Sequence, residues 1–266
     1  MTGRLAGKAA VITGAGSVGP GWGNGRAIGI YFAREDASVL LVDRDPESLA
    51  VTAQQIREEG GTVETVIADV TDPEQVEGYA QACVDRFASL DVMVNNVGGS
   101  RAGGVAELSL DDWNAQLEFN LTSVFLGCKA AVPRMKAAGG GSIVNISSAS
   151  GLRYTGAAQV GYASAKAAII QLSRVTAVQH AADQIRVNTV IPGQLHTPMV
   201  EVRLAGQRAG GDVEKLLEQR QSRIPIGFMG DGRDTANAAL FFASDESRFV
   251  TGAEIVVDGG MTVRCD

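Results

Sequence analysis

Short apolar runs, each stopped by a glycine or a polar residue and each followed by a helical pattern, recur along the whole chain. This alternation is the strongest constraint on the fold. Ala9 to Thr13 is the first run, and the glycine-rich stretch Gly14 to Gly25 follows it. Ala27, Ile28, Ile30, Tyr31 and Phe32 then return at helical spacing. A short continuous apolar run bounded by glycine reads as a strand buried on both faces. Strand, glycine loop and helix in that order make a phosphate cradle. Glycine lets backbone approach a pyrophosphate, and the helix N-terminus supplies amide donors and the positive end of its dipole.

Six more strands follow: Val39 to Val42, Val63 to Ala68, Asp91 to Val94, Ser142 to Ile146, Ile185 to Ile191 and Glu254 to Val257. Helical patterns separate them at Pro46 to Glu59, Asp72 to about Ala88, Leu110 to about Met135, Tyr162 to about His180 and Arg233 to Ala243. Alternation of this kind predicts an α/β, doubly wound, three-layer fold: a parallel sheet of about seven strands with helices on both faces. The carboxyl ends of the strands carry Gly14, Asp43, Asp69, Asn95-Asn96, Ser147-Ser148 and Pro192-Gly193. Open parallel sheets bind ligands along that edge. Asp43 suits the two hydroxyls of an adenosine ribose and repels a 2′-phosphate, which favours NAD over NADP; Arg44 beside it softens that exclusion. Asp45-Pro46 supplies the cap for the next helix, which leaves Asp43 for a ligand.

Residues 1–266 read as one dinucleotide-binding unit, without repeat or linker. The charged stretch Met199 to Arg223, with Gly206, Gly210 and Gly211 inside it, reads as a substrate lid. A formal net charge of −7 disfavours nucleic acid and anionic membrane as partners. No apolar run approaches the roughly 18 residues that cross a bilayer. Cys83, Cys128 and Cys265 are widely spaced, form no CxxC, and fit a reducing, cytoplasmic setting. His180 and His196 lack companion ligands at metal-binding spacing, so no metal site is expected.

Tyr162 and Lys166 are four residues apart in a helical pattern and therefore share a face. A phenol ionises near pH about 10, too high for proton transfer at neutrality; a cation beside it stabilises phenolate and brings that value down. Ser148 lies fourteen residues before Tyr162, across a loop, with Ser147 as an alternative hydroxyl. Asn120 falls mid-helix among Phe119, Leu121, Val124, Phe125 and Leu126, which predicts burial and a need for a partner. Arg101, Arg153 and Tyr154 lie in loops expected to face substrate; Arg153 would suit a carboxylate, and a solvated surface arginine is the commoner alternative.

Thr13-Gly14 with Gly23-Asn24-Gly25, Asp69-Val70, Asn95-Asn96-Val97-Gly98, Asn120, Ser148, Tyr162-xxx-Lys166, Pro192-Gly193 and Thr197 occur in order. Together they resemble the short-chain dehydrogenase/reductase family, of compact single-domain (Rossmann) type, over almost the whole chain. The resemblance implies that Tyr162 is the general acid/base, that Lys166 lowers its pKa and holds the nicotinamide ribose, and that Ser148 steadies the substrate oxygen. Asn120 would anchor a proton-relaying water. Gly14, Ser17, Gly23, Asn24 and Gly25 would form the pyrophosphate loop, with Asp43 and Arg44 at the ribose. Asp69 and Val70 would meet adenine, Asn96 and Gly98 the adenosine side, and Pro192, Gly193, Leu195 and Thr197 the nicotinamide.

The implied activity is NAD(H)-dependent interconversion of a small secondary alcohol and a ketone, in a homo-oligomer that is tetrameric by family analogy. An NADP-linked carbonyl reductase of ketoacyl type, or a non-catalytic dinucleotide-binding regulator, are the alternatives. One departure stands out. Eight residues, Ala15 to Trp22, separate Thr13-Gly14 from Gly23-Asn24-Gly25, more than the family's usual loop. An extended loop is similar to the related enoyl-reductase branch, but Tyr162-xxx-Lys166 argues for alcohol and carbonyl chemistry.

Overall fold

The computed structural model describes residues 2–204 and 212–265. Gly206, Gly210 and Gly211 of the expected lid lie outside the described residues. In chain order the elements begin with β1 (Ala9–Thr13), α1 (Asn24–Arg34), β2 (Ser38–Asp43), α2 (Pro46–Glu58), β3 (Thr62–Ile67) and α3 (Pro73–Phe87). Then come β4 (Val92–Asn95), α4 (Leu110–Leu117), α5 (Ser123–Ala138), β5 (Gly141–Ile146), α6 (Val160–His180) and β6 (Ile185–Pro192). The last are α7 (Val213–Gln221), α8 (Gly232–Ala243) and β7 (Glu254–Val257).

The seven strands form one sheet in the order β3-β2-β1-β4-β5-β6-β7, and every pairing is parallel. The chain runs outward from β1 to β3, then crosses back to lay β4 on the other side of β1. That reversal is the switch point at which doubly wound sheets open a crevice. Strand residues alternate between two apolar layers. Ala10, Ile12, Leu41 and Val94 pack with Ile28 and Phe32 of α1 and Leu240 and Phe242 of α8. Val11, Leu40, Met93 and Ile143 pack with Tyr79 of α3, Leu126 of α5 and Ile169 of α6. Both faces are therefore covered, which is why these strands read as continuous apolar runs.

The expected long helix from Leu110 to Met135 is interrupted. A π turn at Glu118–Thr122 separates α4 from α5, and α5 continues to Ala138, where Gly139 ends it at φ 87°. Asn120 sits in that turn, fully buried. Its Nδ2 donates to the carbonyls of Gly99 (3.0 Å) and Gln116 (2.9 Å), and its Oδ1 accepts from the Gly99 amide (3.0 Å). A partner twenty-one positions earlier in the chain, not helix propensity, sets the backbone here. Pro192 closes β6, opposite Val257.

Candidate active site

A cavity of about 440 Å³ opens over the carboxyl ends of the strands at the switch point. Asn96 stitches its floor. The Asn96 amide donates to Thr13 Oγ1 (3.0 Å), and its side chain donates to the carbonyls of Thr13 (3.0 Å) and Gly14 (3.2 Å), locking β1 to β4.

One end is built around α1. Asp45 and Asp72 cap α2 and α3 through their side chains, and each of those helices carries an acid in its first turn. Gly23 at the head of α1 offers no such bond, and the first turn holds no acid. The leading amides and dipole of α1 are left for an anion. Gly14 (φ 63°) and Gly25 pack backbone against backbone: a Cβ on Gly25 would lie 1.8 Å from the Gly14 carbonyl oxygen. Asn24 Oδ1 is buried there without a hydrogen-bond partner among the described residues. The free leading amides of α1 and the close glycine backbone fit a pyrophosphate, while Asn24 Oδ1 is an acceptor and calls for a donor instead. Asp43 carries one carboxylate oxygen to the Gly16 amide (2.9 Å) and the other to the Asp45 amide (3.1 Å). Asp45, not Asp43, caps α2, as its Asp-Pro step predicts. Arg44 turns its guanidinium over the Phe119 ring, 5.9 Å from the centroid.

The other end is built on α6. Lys166 is 2 % exposed, and its Nζ donates to the Ile146 carbonyl at 2.9 Å. The same Nζ lies 5.8 Å from the centroid of the Tyr162 ring. Burial lowers the Lys166 pKa to about 8, so the group is still an ammonium at neutral pH. One of its three donors is used, and two remain for a ligand on the cavity wall. Ser147 and Ser148 are now distinguishable. The Ser147 hydroxyl is buried and donates to the Lys166 carbonyl (2.6 Å), a purely structural bond. Ser148 is partly exposed to the cavity and accepts from the Ser150 amide (3.2 Å). Gly151 lets this turn press on α6: a Cβ there would sit 2.7 Å from the Lys166 carbonyl carbon and the Ala167 amide nitrogen.

Of the residues expected from sequence, Gly14, Ser17, Gly23, Asn24, Gly25, Asp43, Arg44, Asp69 and Val70 line this cavity. So do Asn96, Gly98, Ser148, Tyr162, Lys166, Pro192, Gly193, Leu195 and Thr197. Asn120 stands behind the wall. A Cβ on Gly98 would lie 2.8 Å from Lys166 Nζ and 2.9 Å from Asn120 Oδ1, so the three groups touch. Both donors of the Asn120 side chain are engaged with Gly99 and Gln116, so it positions the Gly98-Gly99 segment. Arg101 instead pairs with Asp112, while Arg153 and Tyr154 are exposed and off the wall. His196 bonds Glu201 at 2.8 Å, also off the wall.

Sequence reading missed Gly16, Phe119, Gln159, Gln194 and Arg220, all on the wall. Gly16 and Gln194 adjoin motif residues and carried that signal. Arg220, on α7, had none: it reaches the Leu195 carbonyl (3.2 Å) from a segment distant in sequence.

A sequence model of the family described as Enoyl-(Acyl carrier protein) reductase matches residues 20–262. The chain belongs to the short-chain dehydrogenase/reductase family. Short-chain dehydrogenases/reductases are oxidoreductases that use a nicotinamide dinucleotide. A relative named 2,5-dichloro-2,5-cyclohexadiene-1,4-diol dehydrogenase LinX, from Sphingobium indicum, is 38% identical over 263 residues, 99% of each chain. A crystal structure assigned to the family, from Burkholderia xenovorans, is 59% identical with TM-score 0.96, covering 99% of this chain and 100% of that one. Carveol dehydrogenase from Mycobacterium avium, in complex with NAD, is 32% identical with TM-score 0.91, covering 99% and 100%. No helix among the described residues of this short-chain dehydrogenase/reductase is long and apolar enough to cross a membrane.

Proposed function

We propose that this protein is an NAD(H)-dependent oxidoreductase that interconverts a small secondary alcohol and a ketone. The observation that carries this is the buried Lys166 ammonium one helical turn from Tyr162, on the wall of the cavity that the uncapped end of α1 also faces. Bound nicotinamide would accept or supply the hydride. Tyr162 would exchange a proton with the substrate oxygen, and Lys166 would favour the phenolate. Ser148 would hold the same oxygen and steady its developing charge. Asn120 would act by holding Gly98 and Gly99 over Lys166, with the last acceptor capacity of its Oδ1 available to a relay water. Two donors of Lys166 suit ribose hydroxyls.

Asp43 supports NAD over NADP, because its carboxylate is already oriented by the Gly16 and Asp45 amides where a 2′-phosphate would approach. A regulator that only sensed the dinucleotide would have no use for a lysine buried at such cost beside a phenol. The 199–223 segment would serve as the lid: Val200 and Leu216 pack together, and Arg220 ties the segment to Leu195. Exposed Phe125 and Val178 on the α5–α6 side, and Phe249 and Val263 by β7, support a homo-oligomer, a tetramer by family analogy. Two buried free thiols, Cys83 and Cys128, support a reducing, cytoplasmic setting.

The test is appearance of reduced-nicotinamide absorbance with a panel of secondary alcohols at fixed NAD. Wild type should turn over at least one, and Tyr162→Phe should lose about 10²–10⁴ in kcat while still binding NADH. Turnover that survives Tyr162→Phe unchanged removes the assigned chemistry.

A further inference from the structure

Beyond Ser148 the cavity wall is polar, and its groups are almost all committed to one another. Ser150 Oγ and Thr155 Oγ1 are 3.1 Å apart. Gln159 Nε2 donates to Ser150 Oγ at 2.7 Å. Arg223 donates to the Thr155 carbonyl at 2.9 Å. Gln194, 5 % exposed, donates from Nε2 to the same carbonyl at 3.2 Å. That bond settles which way the amide points, since a carbonyl oxygen can face only the NH₂ side. Gln194 Oε1 is then left buried with no partner among the described residues.

An unmet buried acceptor is destabilising, on the order of 1–3 kcal/mol, and native structures seldom keep one without a reason. Gln194 belongs to the cavity wall, as do Ser150, Thr155 and Gln159. This part of the wall starts two residues past Ser148, and Gln159 immediately precedes α6, three residues before Tyr162. It therefore flanks the point where a reacting carbinol would meet the phenol. An acceptor fixed there calls for a donor on the ligand, and a donor that accompanies a carbinol is a second hydroxyl.

We infer that Gln194 is a specificity-determining residue whose Oε1 accepts a hydrogen bond from a second hydroxyl of the substrate, so that the preferred substrates are diols. This rests on the alcohol–ketone reading above and deepens it. A ketone or ether oxygen at the second position cannot satisfy Oε1, because it offers no hydrogen. An unbranched mono-alcohol leaves the acceptor unmet. A site built around a substrate hydroxyl discriminates against analogues lacking it far more strongly than an apolar pocket does.

The test uses cyclohexanol, the 1,2-, 1,3- and 1,4-cyclohexanediols, and 4-methoxycyclohexanol. Two readouts are needed: kcat/KM with NAD, and alcohol binding to the Tyr162→Phe protein saturated with NADH, followed by nicotinamide fluorescence. The best diol should exceed both cyclohexanol and the methoxy compound by about tenfold or more in each readout. Gln194→Met, similar in length but without the acceptor, should bring the ratio to within about threefold. Gln194→Glu, which also loses the bond to Thr155 but keeps an acceptor, should restore most of it. A ratio near one in wild type, or one that survives Gln194→Met, overturns the inference while leaving alcohol oxidation standing. Diol-selective binding without turnover of any alcohol supports the role of Gln194 and sinks the oxidoreductase reading instead.

Discussion

Lys166 Nζ donates a 2.9 Å hydrogen bond to the carbonyl oxygen of Ile146, the last residue of β5. A strand end thus sets the height of an ammonium carried by the following helix. The two elements that bring Ser148 and Tyr162 to the cavity are joined beneath them by this bond and by the one from Ser147 Oγ to the Lys166 carbonyl.

Burial of that ammonium sets a pH dependence. Its pKa is lowered to about 8 by desolvation, whereas an unfolded lysine stays near 10.5. Below pH about 8 both states are protonated and only the folded one bears the desolvation penalty. Between about 8 and 10.5 the folded protein sheds the proton first, so the unfolded state binds more protons and stability rises with pH. Lys166→Met should therefore be more stable than wild type below pH 8, with the difference closing as pH rises towards 10.5. Urea unfolding of both proteins across that range, without cofactor, checks this. A gap that widens with pH contradicts the sign. The same variant should lose activity at every pH.

Gly98→Ala asks whether the Lys166–Asn120 contact tolerates an intruder. The new methyl would meet Lys166 Nζ at 2.8 Å and Asn120 Oδ1 at 2.9 Å, and both atoms are held by other bonds. Neither can swing aside, so the expected loss is about 1–3 kcal/mol of stability. Activity should fall by at least about tenfold, since misplacement near 1 Å is enough to do that. Thermal unfolding and kcat/KM measured together check it. A variant as stable and active as wild type would show that the backbone at Gly98 moves freely.

The architecture was legible because strand burial on both faces writes itself as apolar runs, and each run ends at the ligand-binding edge. Asp43, Asp69, Asn96, Ser148 and Pro192 could be placed on that edge from sequence alone. The π turn at Asn120 could not, because its cause is the Gly99 backbone, distant in the chain. Arg220 was missed for the same reason: its partner, Leu195, lies 25 positions away and presents only a carbonyl. Arg101 pairs with Asp112, a surface contact that no motif announces.

Cofactor choice turns on Asp43. It performs two tasks, orienting the Gly16 amide and presenting negative charge beside it. Asp43→Ala would confound them. Asp43→Asn keeps an acceptor for Gly16 and removes the charge. Wild type should bind NADH at least about tenfold more tightly than NADPH, since a phosphate beside a carboxylate is repelled by more than 1.4 kcal/mol. Asp43→Asn should narrow that ratio chiefly by improving NADPH. Nicotinamide fluorescence titration with both cofactors checks it, and equal affinity in wild type counts against the assignment.

The long glycine loop should behave as a fixed part of the site. Its first residue is held by Thr52, whose hydroxyl donates to the Ala15 carbonyl (2.9 Å). Arg26 reaches back from α1 to the Gly21 carbonyl (3.1 Å). Trp22 closes it edge-on against Tyr31 (centroids 6.4 Å apart), under the Arg233 guanidinium at 5.5 Å, with its carbonyl accepting from the Gly232 amide (3.3 Å). The aromatic and cation–π contacts together are worth about 1–3 kcal/mol. Trp22→Ala should therefore lower stability by about that much and loosen the segment that leads into α1. Releasing a preordered loop weakens any ligand that needs it ordered, so NADH affinity should fall by roughly tenfold. Trp22→Phe, which keeps a ring against Tyr31 and Arg233, should recover most of both. Were affinity to stay at the wild-type level in Trp22→Ala while stability dropped, the extension would be a packing feature of α1 and α8 with no part in holding the dinucleotide.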